Sequence, residues 1–328
     1  MQVPRGLPLA EWRKRIPADN PLTPEKIKLG EALYFDKRLS ADGTVSCATC
    51  HDPASAFTDH NATAVGIRSG RNPRNAPTVL NAMFSANLFW DGRARSLEEQ
   101  AKHPLVNATE MGMQNYDAVV ARVAGDPAYV EGFRRVFKSA VTIEAIVKAI
   151  AAFERTQLSG NSPFDRFIAG DRNAISAAQK RGWELFRTKA QCIKCHVFRS
   201  GSPFFTDFDF HNTGAGMHSE ATTDLGRYSI TKQRRDTGAF KTPTLRDVEL
   251  TAPYMHDGSQ KTLLDVVKFY NRGGEPNANL DRRVLQLNLT DEEMNALVEF
   301  MRSLTSDEVL RRTQTAKPQT RRAVLACP

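Results

Sequence analysis

The sequence lacks any long hydrophobic run. Hydrophobic residues make up 41% of its 328 residues, but no stretch approaches the roughly 20 consecutive apolar residues that a helix needs to cross a bilayer. The sequence therefore predicts a globular protein without a membrane span, and its length favours two domains. The segment from Met1 to Arg5 also has no apolar region of the kind found in secretory leaders.

Cysteine is scarce, and its distribution is informative. Four of the five cysteines lie in two copies of the pattern Cys-x-x-Cys-His, formed by Cys47, Cys50 and His51 and by Cys192, Cys195 and His196. In this pattern two thiols bond to the haem vinyl groups, and the histidine becomes an axial ligand of the iron. One zinc site of four thiolates is the alternative, but zinc does not require a histidine after each second cysteine. The sequence therefore predicts two covalently bound haem c groups.

Acidic residues are absent from the end of the chain. Residues 311–328 contain five basic side chains and no acid, out of a net charge of +8; these are Arg311, Arg312, Lys317, Arg321 and Arg322. We interpret this segment as a solvated, disordered tail in which the fifth cysteine, Cys327, has no assigned role. The propionates of two haems would offset part of the remaining charge. We therefore do not predict nucleic-acid binding.

The two halves of the chain read as degenerate copies of one helical unit. A glycine-containing string that ends in phenylalanine precedes each haem pattern, at residues 29–35 and 181–186. Amphipathic helices are predicted towards the end of each half, at residues 143–155 and 292–304. The second of these has a capping box at its start, made by Thr290 and the glutamate three residues later.

Strand signals are scarce, so the sequence predicts a mainly α fold. We expect two cytochrome c-like helical domains, each with one haem, at residues 1–162 and 163–310, followed by the basic tail at 311–328. Covalent haem attachment indicates a compartment outside the reducing cytoplasm. We expect the periplasm of a bacterium, with the leader already removed from this sequence.

Four further strings accompany the two haem patterns. With them, the chain resembles the bacterial dihaem cytochrome c peroxidases and their MauG-type relatives over residues 20–306. The strings are Pro73-Arg74-Asn75-Ala76-Pro77-Thr78, Phe89-Trp90-Asp91-Gly92-Arg93, Lys241-Thr242-Pro243-Thr244-Leu245-Arg246-Asp247 and Thr251-Ala252-Pro253-Tyr254-Met255-His256-Asp257-Gly258. The resemblance implies that peroxide reacts at the N-terminal haem, on His51, and that the C-terminal haem, on His196, relays electrons.

The resemblance also implies an open iron at the N-terminal haem. Ordinary family peroxidases often place a second histidine in a Val-Gly-His stretch, but this chain has Ile67 there. His60 is nearby in sequence, and we interpret it as a surface residue. Three residues match the distal positions of the family. Glu110 is the expected acid–base group, Gln100 would orient peroxide, and Pro104 would line the pocket. A carboxylate whose pKa is raised in a poorly solvated pocket can move a proton between the two peroxide oxygens.

The sixth ligand of the C-terminal haem separates the branches of the family. By the resemblance it is methionine in peroxidases and tyrosine in MauG-type enzymes, and the matching position here is Tyr270. Met255 is the rival ligand, and Tyr270 can also be a core aromatic residue on a predicted helix. Anionic phenolate favours ferric and higher iron states, whereas a thioether favours ferrous iron.

Trp90 and a calcium ion complete the expected machinery. By the same resemblance Trp90 lies between the two haems and relays electrons; the alternative is a buried core tryptophan. The family also holds Ca²⁺ between its domains through positions that match Asn75, Thr251 and Pro253, and oxygen ligands suit this hard cation. His211 and His256 are candidates for hydrogen bonds to haem propionates, or for purely structural roles.

These expectations define three hypotheses about function. In the first, the chain is a MauG-type oxidoreductase whose oxidising equivalents come from hydrogen peroxide and end on tryptophan or tyrosine of a protein substrate. In the second, it is a conventional cytochrome c peroxidase that receives electrons from a small cytochrome or a cupredoxin. In the third, it is an electron carrier without chemistry, against which Gln100 and Glu110 argue. Ile67 and Tyr270 favour the first.

Overall fold

A computed structural model describes residues 2–199, 201–217 and 224–315 of the chain. The architecture is mainly α, as predicted. Within the described ranges the α-helices are α1 (Leu9–Lys14), α2 (Pro24–Tyr34), α3 (Cys47–Cys50), α4 (Leu97–Val106), α5 (Tyr116–Ala124), α6 (Pro127–Phe137), α7 (Ile143–Glu154), α8 (Pro163–Ile168), α9 (Ala177–Arg187), α10 (Tyr228–Thr231), α11 (Leu263–Asn271), α12 (Asp291–Arg302) and α13 (Asp307–Thr315).

Short 3₁₀ turns connect many of these helices, and strand structure is minimal. The 3₁₀ turns are Lys37–Leu39, Pro53–Ser55, Ile67–Ser69, Ala82–Phe84, Cys192–Lys194, Arg234–Asp236 and Val248–Leu250. Strands β1 (Phe210–His211) and β2 (Phe240–Lys241) form one antiparallel ladder, in which Phe210 pairs with Lys241 and His211 with Phe240. No helix in the described ranges is long and apolar enough to cross a membrane.

The two halves repeat one helix–helix contact. In the first half α2 packs against α7, and a Cβ atom on Gly30 would lie 1.8 Å from the backbone oxygen of Ala149. In the second half α9 packs against α12, and a Cβ atom on Gly182 would lie 1.9 Å from the backbone oxygen of Ala296. Each glycine lets two helix backbones approach more closely than any side chain would allow. The glycine strings noticed in the sequence therefore serve the same packing function in both halves.

The helix at the end of the second half begins as predicted. Thr290 caps α12: its hydroxyl accepts a hydrogen bond from the backbone N–H of Glu293 at 3.2 Å, and its own N–H donates to the Glu293 carboxylate at 3.1 Å. Apolar residues of α12 then pack into the second core, where Phe300 is fully buried against Phe164 with ring centroids 5.3 Å apart. The capping box fixes where the helix starts, so its apolar face is set in register with the core.

The prediction of a disordered tail from residue 311 is wrong for residues 311–315. These residues complete helix α13, in which Arg312 pairs with Glu308 one turn earlier at 3.0 Å. Val309 is 3% exposed and packs into the core of the first half, so the segment is anchored by burial. Lys317, Arg321, Arg322 and Cys327 lie outside the described residues.

A third apolar cluster joins the two halves. Phe84 of the first half stacks on Phe204 of the second, with ring centroids 4.4 Å apart. Arg74 adds an ionic link, since its guanidinium contacts Asp91 at 2.6 Å and Asp224 at 2.6 Å. The segments that carry these contacts also form the walls of the sites described next.

Candidate haem sites

The first cavity gathers the residues predicted for the N-terminal haem. Its volume is about 360 Å³, and its lining comes from α3, α4, α7 and the loops around them. The sequence-predicted residues in the lining are Cys47, Cys50, His51, Trp90, Gln100, Pro104 and Glu110. Residues more than 50 positions apart in sequence therefore face one space.

His51 is oriented by the backbone around it. Its Nδ1 lies 3.3 Å from the carbonyl oxygen of Phe57, which leaves Nε2 available to a metal. Burial lowers the pKa of His51, so the imidazole is neutral at neutral pH, as an iron ligand must be. Tyr34 supports the same turn, because its hydroxyl donates a hydrogen bond to the His51 carbonyl at 2.7 Å.

The residues of the first cavity fit a covalently attached haem. Cys47 and Cys50 begin and end the one-turn helix α3, so both thiols are held next to His51. Burial raises the pKa of both thiols, to about 12 for Cys50, so they are neutral sulfhydryl groups before any thioether forms. Two adjacent thiols, one neutral imidazole and a largely apolar wall form the donor set that haem c requires.

Glu110 has the electrostatic character of a proton-transfer group. Burial raises the pKa of its carboxyl group, while Arg93 and the side chain of Asn107 lower it by smaller amounts. Ile67 fixes the backbone of Glu110, because the Ile67 N–H donates a hydrogen bond to the Glu110 carbonyl oxygen at 2.9 Å. Ile67 itself is 4% exposed and does not line the cavity. The structure therefore places Glu110 at the wall and Ile67 in the core behind it.

His60 lies outside the first cavity. Its side chain is exposed, and its Nδ1 lies 2.9 Å from the carbonyl oxygen of Ala252. The interpretation of His60 as a surface residue is confirmed. In the described part of the chain, His51 is the one histidine that lines this cavity.

The second cavity is also lined by two cysteines and a histidine, and its other lining residues differ from those of the first. Its volume is about 300 Å³, and Cys192, Cys195 and His196 line it. The Nδ1 of His196 lies 2.8 Å from the carbonyl oxygen of Phe205, and burial lowers the pKa of the imidazole. The second cavity therefore offers the same donor set as the first.

Both candidates for the sixth ligand line the second cavity. Tyr270 reaches it from α11, and Met255 reaches it from the loop before that helix, where its backbone adopts a φ of +70°. Burial makes the largest contribution to the raised pKa of the Tyr270 phenol, and the thiols of Cys195 and Cys192 raise this pKa further. The structure thus brings both Tyr270 and Met255 to the second cavity.

Trp90 lines both cavities. Its ring also faces that of His256 edge to face, with centroids 6.4 Å apart. The segment from Asn75 to Thr78 lines both cavities as well, so Trp90 and this segment form a shared wall. A group in this wall is near whatever occupies either cavity.

The three residues expected at calcium lie on two neighbouring segments. Asn75 belongs to the shared wall, and its N–H donates to the carbonyl oxygen of His256 at 2.7 Å. Thr251 and Pro253 lie on the segment that leads to His256, and all three predicted residues line the second cavity. The Asn75 side chain donates to the carbonyl oxygen of Asn61 at 2.8 Å, which leaves its amide oxygen available to a cation.

Comparison with known proteins decides the family. The profile of the di-haem cytochrome c peroxidases matches residues 24–173. The methylamine utilization protein MauG of Methylorubrum extorquens is 43% identical over 89% of this chain and 81% of its own length. The chain belongs to the dihaem cytochrome c peroxidase and MauG family. It is therefore a haem-dependent oxidoreductase with two haem c groups.

Both branches of this family are among the relatives. The cytochrome-c peroxidase IdrP1 of Pseudomonas sp. strain SCT is 36% identical over 90% of this chain and 84% of its own length. A crystal structure of a MauG-like protein associated with microbial copper homeostasis superimposes with a TM-score of 0.80 at 32% identity, covering 95% of this chain and 96% of that one. Family membership thus leaves open which branch this dihaem protein follows.

Sequence reasoning missed Glu154 at the first haem site. Glu154 ends α7, is 6% exposed and lines the first cavity, and one of its carboxylate oxygens has no hydrogen-bond partner among the described residues. Burial raises its pKa to about 8, so the group is mostly protonated at neutral pH. The signal was an acid on the apolar face of a helix, directly after Phe153.

Two basic residues of the second cavity have surroundings that the sequence did not reveal, although His211 was a candidate for a propionate contact or a structural role. Burial lowers the pKa of His211, but hydrogen bonds to Asp207, Cys195 and Asp281 outweigh it and raise the value to about 10. His211 lies 2.9 Å from Asp207 and 2.7 Å from Asp281. The other basic residue is Lys241, which was noticed only as part of a family string.

Proposed function

We propose that the chain reacts with hydrogen peroxide in the first cavity and passes oxidising equivalents through Trp90 to the second, in the manner of a MauG-type enzyme. The observation that carries this proposal is the shared wall, because Trp90 lines both cavities while Glu110 and Gln100 line the first with His51. When bound, the two haems supply the iron that reacts with peroxide and the capacity to store oxidising equivalents.

Three side chains of the first cavity have different roles in the proposed reaction with peroxide. Glu110, whose pKa burial raises, takes a proton from one peroxide oxygen and returns it to the other, so that water can leave. Gln100 orients peroxide by hydrogen bonding through its amide. Pro104 closes the wall beside them without adding a donor that would compete for peroxide.

The two proximal histidines and Tyr270 make the sites unequal. His51 has no second histidine across from it in the described lining, which supports a first haem with an open position. Tyr270 and His196 both line the second cavity and would together hold the iron of the second haem, which would keep peroxide from reacting there. With this difference, peroxide would react only in the first cavity, and the haem of the second cavity would hold oxidising equivalents.

We also propose Ca²⁺ at Asn75, Thr251 and Pro253, and a periplasmic location. The two segments that carry these residues are tied by the hydrogen bond from Asn75 to the carbonyl oxygen of His256. An ion at this point would reinforce the shared wall. The periplasm suits covalent haem attachment, as argued from the sequence.

The electron source is proposed to be tryptophan or tyrosine of a protein substrate. Tyr270 at the second cavity supports this, since a phenolate ligand favours oxidised iron. The alternative is a conventional peroxidase that receives electrons from a small cytochrome or a cupredoxin. The peroxidases among the relatives support this second candidate.

One experiment separates these two candidates. Stoichiometric hydrogen peroxide is added to the fully oxidised holoprotein without reductant, and optical and EPR spectra are recorded. We expect a high-spin signal from the first haem before the addition and an immediate, long-lived spectral change at both haems after it. A protein that reacts only after one haem has been reduced would be a conventional peroxidase.

A further inference from the structure

Lys241 occupies an unusual position beside the shared wall. It ends strand β2 and lines the second cavity, and its backbone N–H donates to the carbonyl oxygen of Trp90 at 2.8 Å. Burial lowers the pKa of its ammonium group to about 8, and the residue is half-buried. A lysine that lines the second cavity is thus tied to Trp90 through its backbone.

The ammonium group of Lys241 has no hydrogen-bond or acidic partner among the described residues. The buried lysine Lys26 shows what such a group requires away from water, since its Nζ donates to Asn20 at 2.9 Å and to the Pro21 carbonyl at 2.7 Å. A haem in the second cavity would cover the half-buried Lys241 ammonium. A covered ammonium without an anionic partner costs free energy, so Lys241 would then need an anion.

The second cavity has a fixed orientation for a bound haem. Cys192 and Cys195 hold the vinyl edge of the ring, and the two propionates of any haem c lie at the opposite edge. His211 and Asp207 mark the vinyl edge, because their ligand atoms and the Cys195 sulfur lie within 4.8 Å of one another. His211 is therefore poorly placed for the propionate contact considered from the sequence.

The strand register directs Lys241 away from that edge. His211 pairs with Phe240 across the ladder, and Lys241 is the next residue. Successive strand residues point to opposite sides of a ladder, so the Lys241 side chain leaves β2 on the side opposite His211.

We propose that the ammonium group of Lys241 binds a propionate carboxylate of the second haem. The ion pair would neutralise one negative charge at the propionate edge of the second haem, and the backbone bond from Lys241 to Trp90 would tie the pair to the shared wall. Lys241 is then a haem-binding and positioning residue. The inference rests on the two haems of the family and not on the proposed reaction with peroxide.

A crystal structure of the wild-type holoprotein tests the contact directly. We expect the Lys241 Nζ within hydrogen-bond distance of a propionate oxygen of the second haem. If Nζ instead bonds only to protein atoms or to solvent, the proposal is overturned. This test needs no variant, so a failure of Lys241 substitutions to fold does not affect it.

The charge is tested with Lys241→Gln and Lys241→Arg, with Lys261→Gln as the control for loss of one exposed lysine. The midpoint potential of each haem is measured by spectroelectrochemistry. An uncompensated carboxylate stabilises ferric iron, so the potential of the second haem should fall in Lys241→Gln and stay near wild type in Lys241→Arg and Lys261→Gln. An unchanged second-haem potential in Lys241→Gln would count against the ion pair.

The proposed function can fail independently of this inference. Reaction of the oxidised holoprotein with peroxide is recorded for wild type alone, whereas the potentials are measured without peroxide. A wild type that needs prior reduction, combined with a lowered second-haem potential in Lys241→Gln, would reject the MauG-type function and keep the Lys241 site. A wild type that reacts without prior reduction, combined with an unchanged second-haem potential in Lys241→Gln, would keep the MauG-type function and reject the Lys241 site.

Discussion

The indole Nε1 of Trp90 donates a hydrogen bond of 2.9 Å to the backbone carbonyl oxygen of Asn75. Asn75 in turn donates from its own N–H to the carbonyl oxygen of His256 at 2.7 Å. The ring between the two cavities is therefore oriented by main-chain groups of both halves. A phenyl ring in its place would lose this hydrogen bond and the orientation that it gives.

Replacing Trp90 by phenylalanine should uncouple the two haems. Phenylalanine keeps an aromatic ring in the wall but loses the hydrogen bond to Asn75 and is harder to oxidise than an indole. We expect stopped-flow spectra in which peroxide still changes the first haem while the change at the second haem is slowed or lost. Trp12→Phe, which alters a tryptophan that lines neither cavity, is the control. Equal rates in both variants would exclude Trp90 as the relay.

Replacing Glu110 by glutamine should slow the reaction with peroxide by roughly 10²–10⁴-fold, the usual contribution of a positioned acid–base group. The amide keeps the size of the side chain but cannot take a proton. Optical spectra of the resting haems should stay unchanged, and the rate constant is measured by stopped flow. Glu131→Gln, at an exposed position on α6, should react like wild type. A Glu110→Gln variant as fast as this control would remove Glu110 from the mechanism.

The same carboxyl group should shape the pH dependence of the reaction. Burial raises the pKa of Glu110 above the ordinary value of 4.5, and the deprotonated form is the one that accepts the peroxide proton. The rate should therefore fall as the pH is lowered through this raised pKa, at a higher pH than for an exposed glutamate. In Glu110→Gln this acidic limb should disappear. A limb that persists in the variant would belong to another group.

Replacing Tyr270 by phenylalanine should open the second haem. If the phenol is the ligand opposite His196, its loss converts a low-spin, six-coordinate signal to a high-spin one in EPR. Met255→Leu is the matched variant, because Met255 lines the same cavity and is the rival ligand. The opposite result, with the low-spin signal lost only in Met255→Leu, would assign the ligand to Met255 and favour the conventional peroxidase.

Replacing Glu154 by glutamine should flatten the pH dependence of stability. Burial holds the pKa of Glu154 at about 8, whereas an unfolded glutamate titrates near 4.5. Between these values the folded protein binds a proton that the unfolded chain has released, so stability falls as the pH rises, by up to ~1.4 kcal/mol per pH unit. Denaturant unfolding of the holoprotein at pH 5 and pH 8 measures this slope. Glu144→Gln, an exposed position on the same helix, should leave the slope unchanged.

Much of the fold and of the site could be predicted because the information is local. The haem patterns contain attachment and ligation within five residues each, and the Thr290 capping box needs only four. The glycines at 30 and 182 were visible as repeated strings, although only the structure shows that each meets a backbone oxygen of a partner helix. Features that depend only on residues close together in sequence can be predicted without knowledge of tertiary contacts.

The features that were missed depend on long-range placement. Lys241 and Glu154 are ordinary charged residues in sequence, and their importance comes from burial beside a cavity that distant segments build. Residues 311–315 were wrongly interpreted as disordered because charge dominates the composition there, whereas helix α13 buries Val309 in the core of the first half and pairs Asp307 with Arg166 at 2.7 Å. Composition cannot reveal such a contact.

Helix α13 has a consequence for how the molecule is made. The core of the first half includes residues of α2 and also Val309, and α13 packs against the turn Pro53–Ser55, which follows His51 by only two residues. The packing around the first cavity is thus incomplete until nearly the whole polypeptide has been synthesised. A piece of the chain that ended near residue 162 would lack this contact.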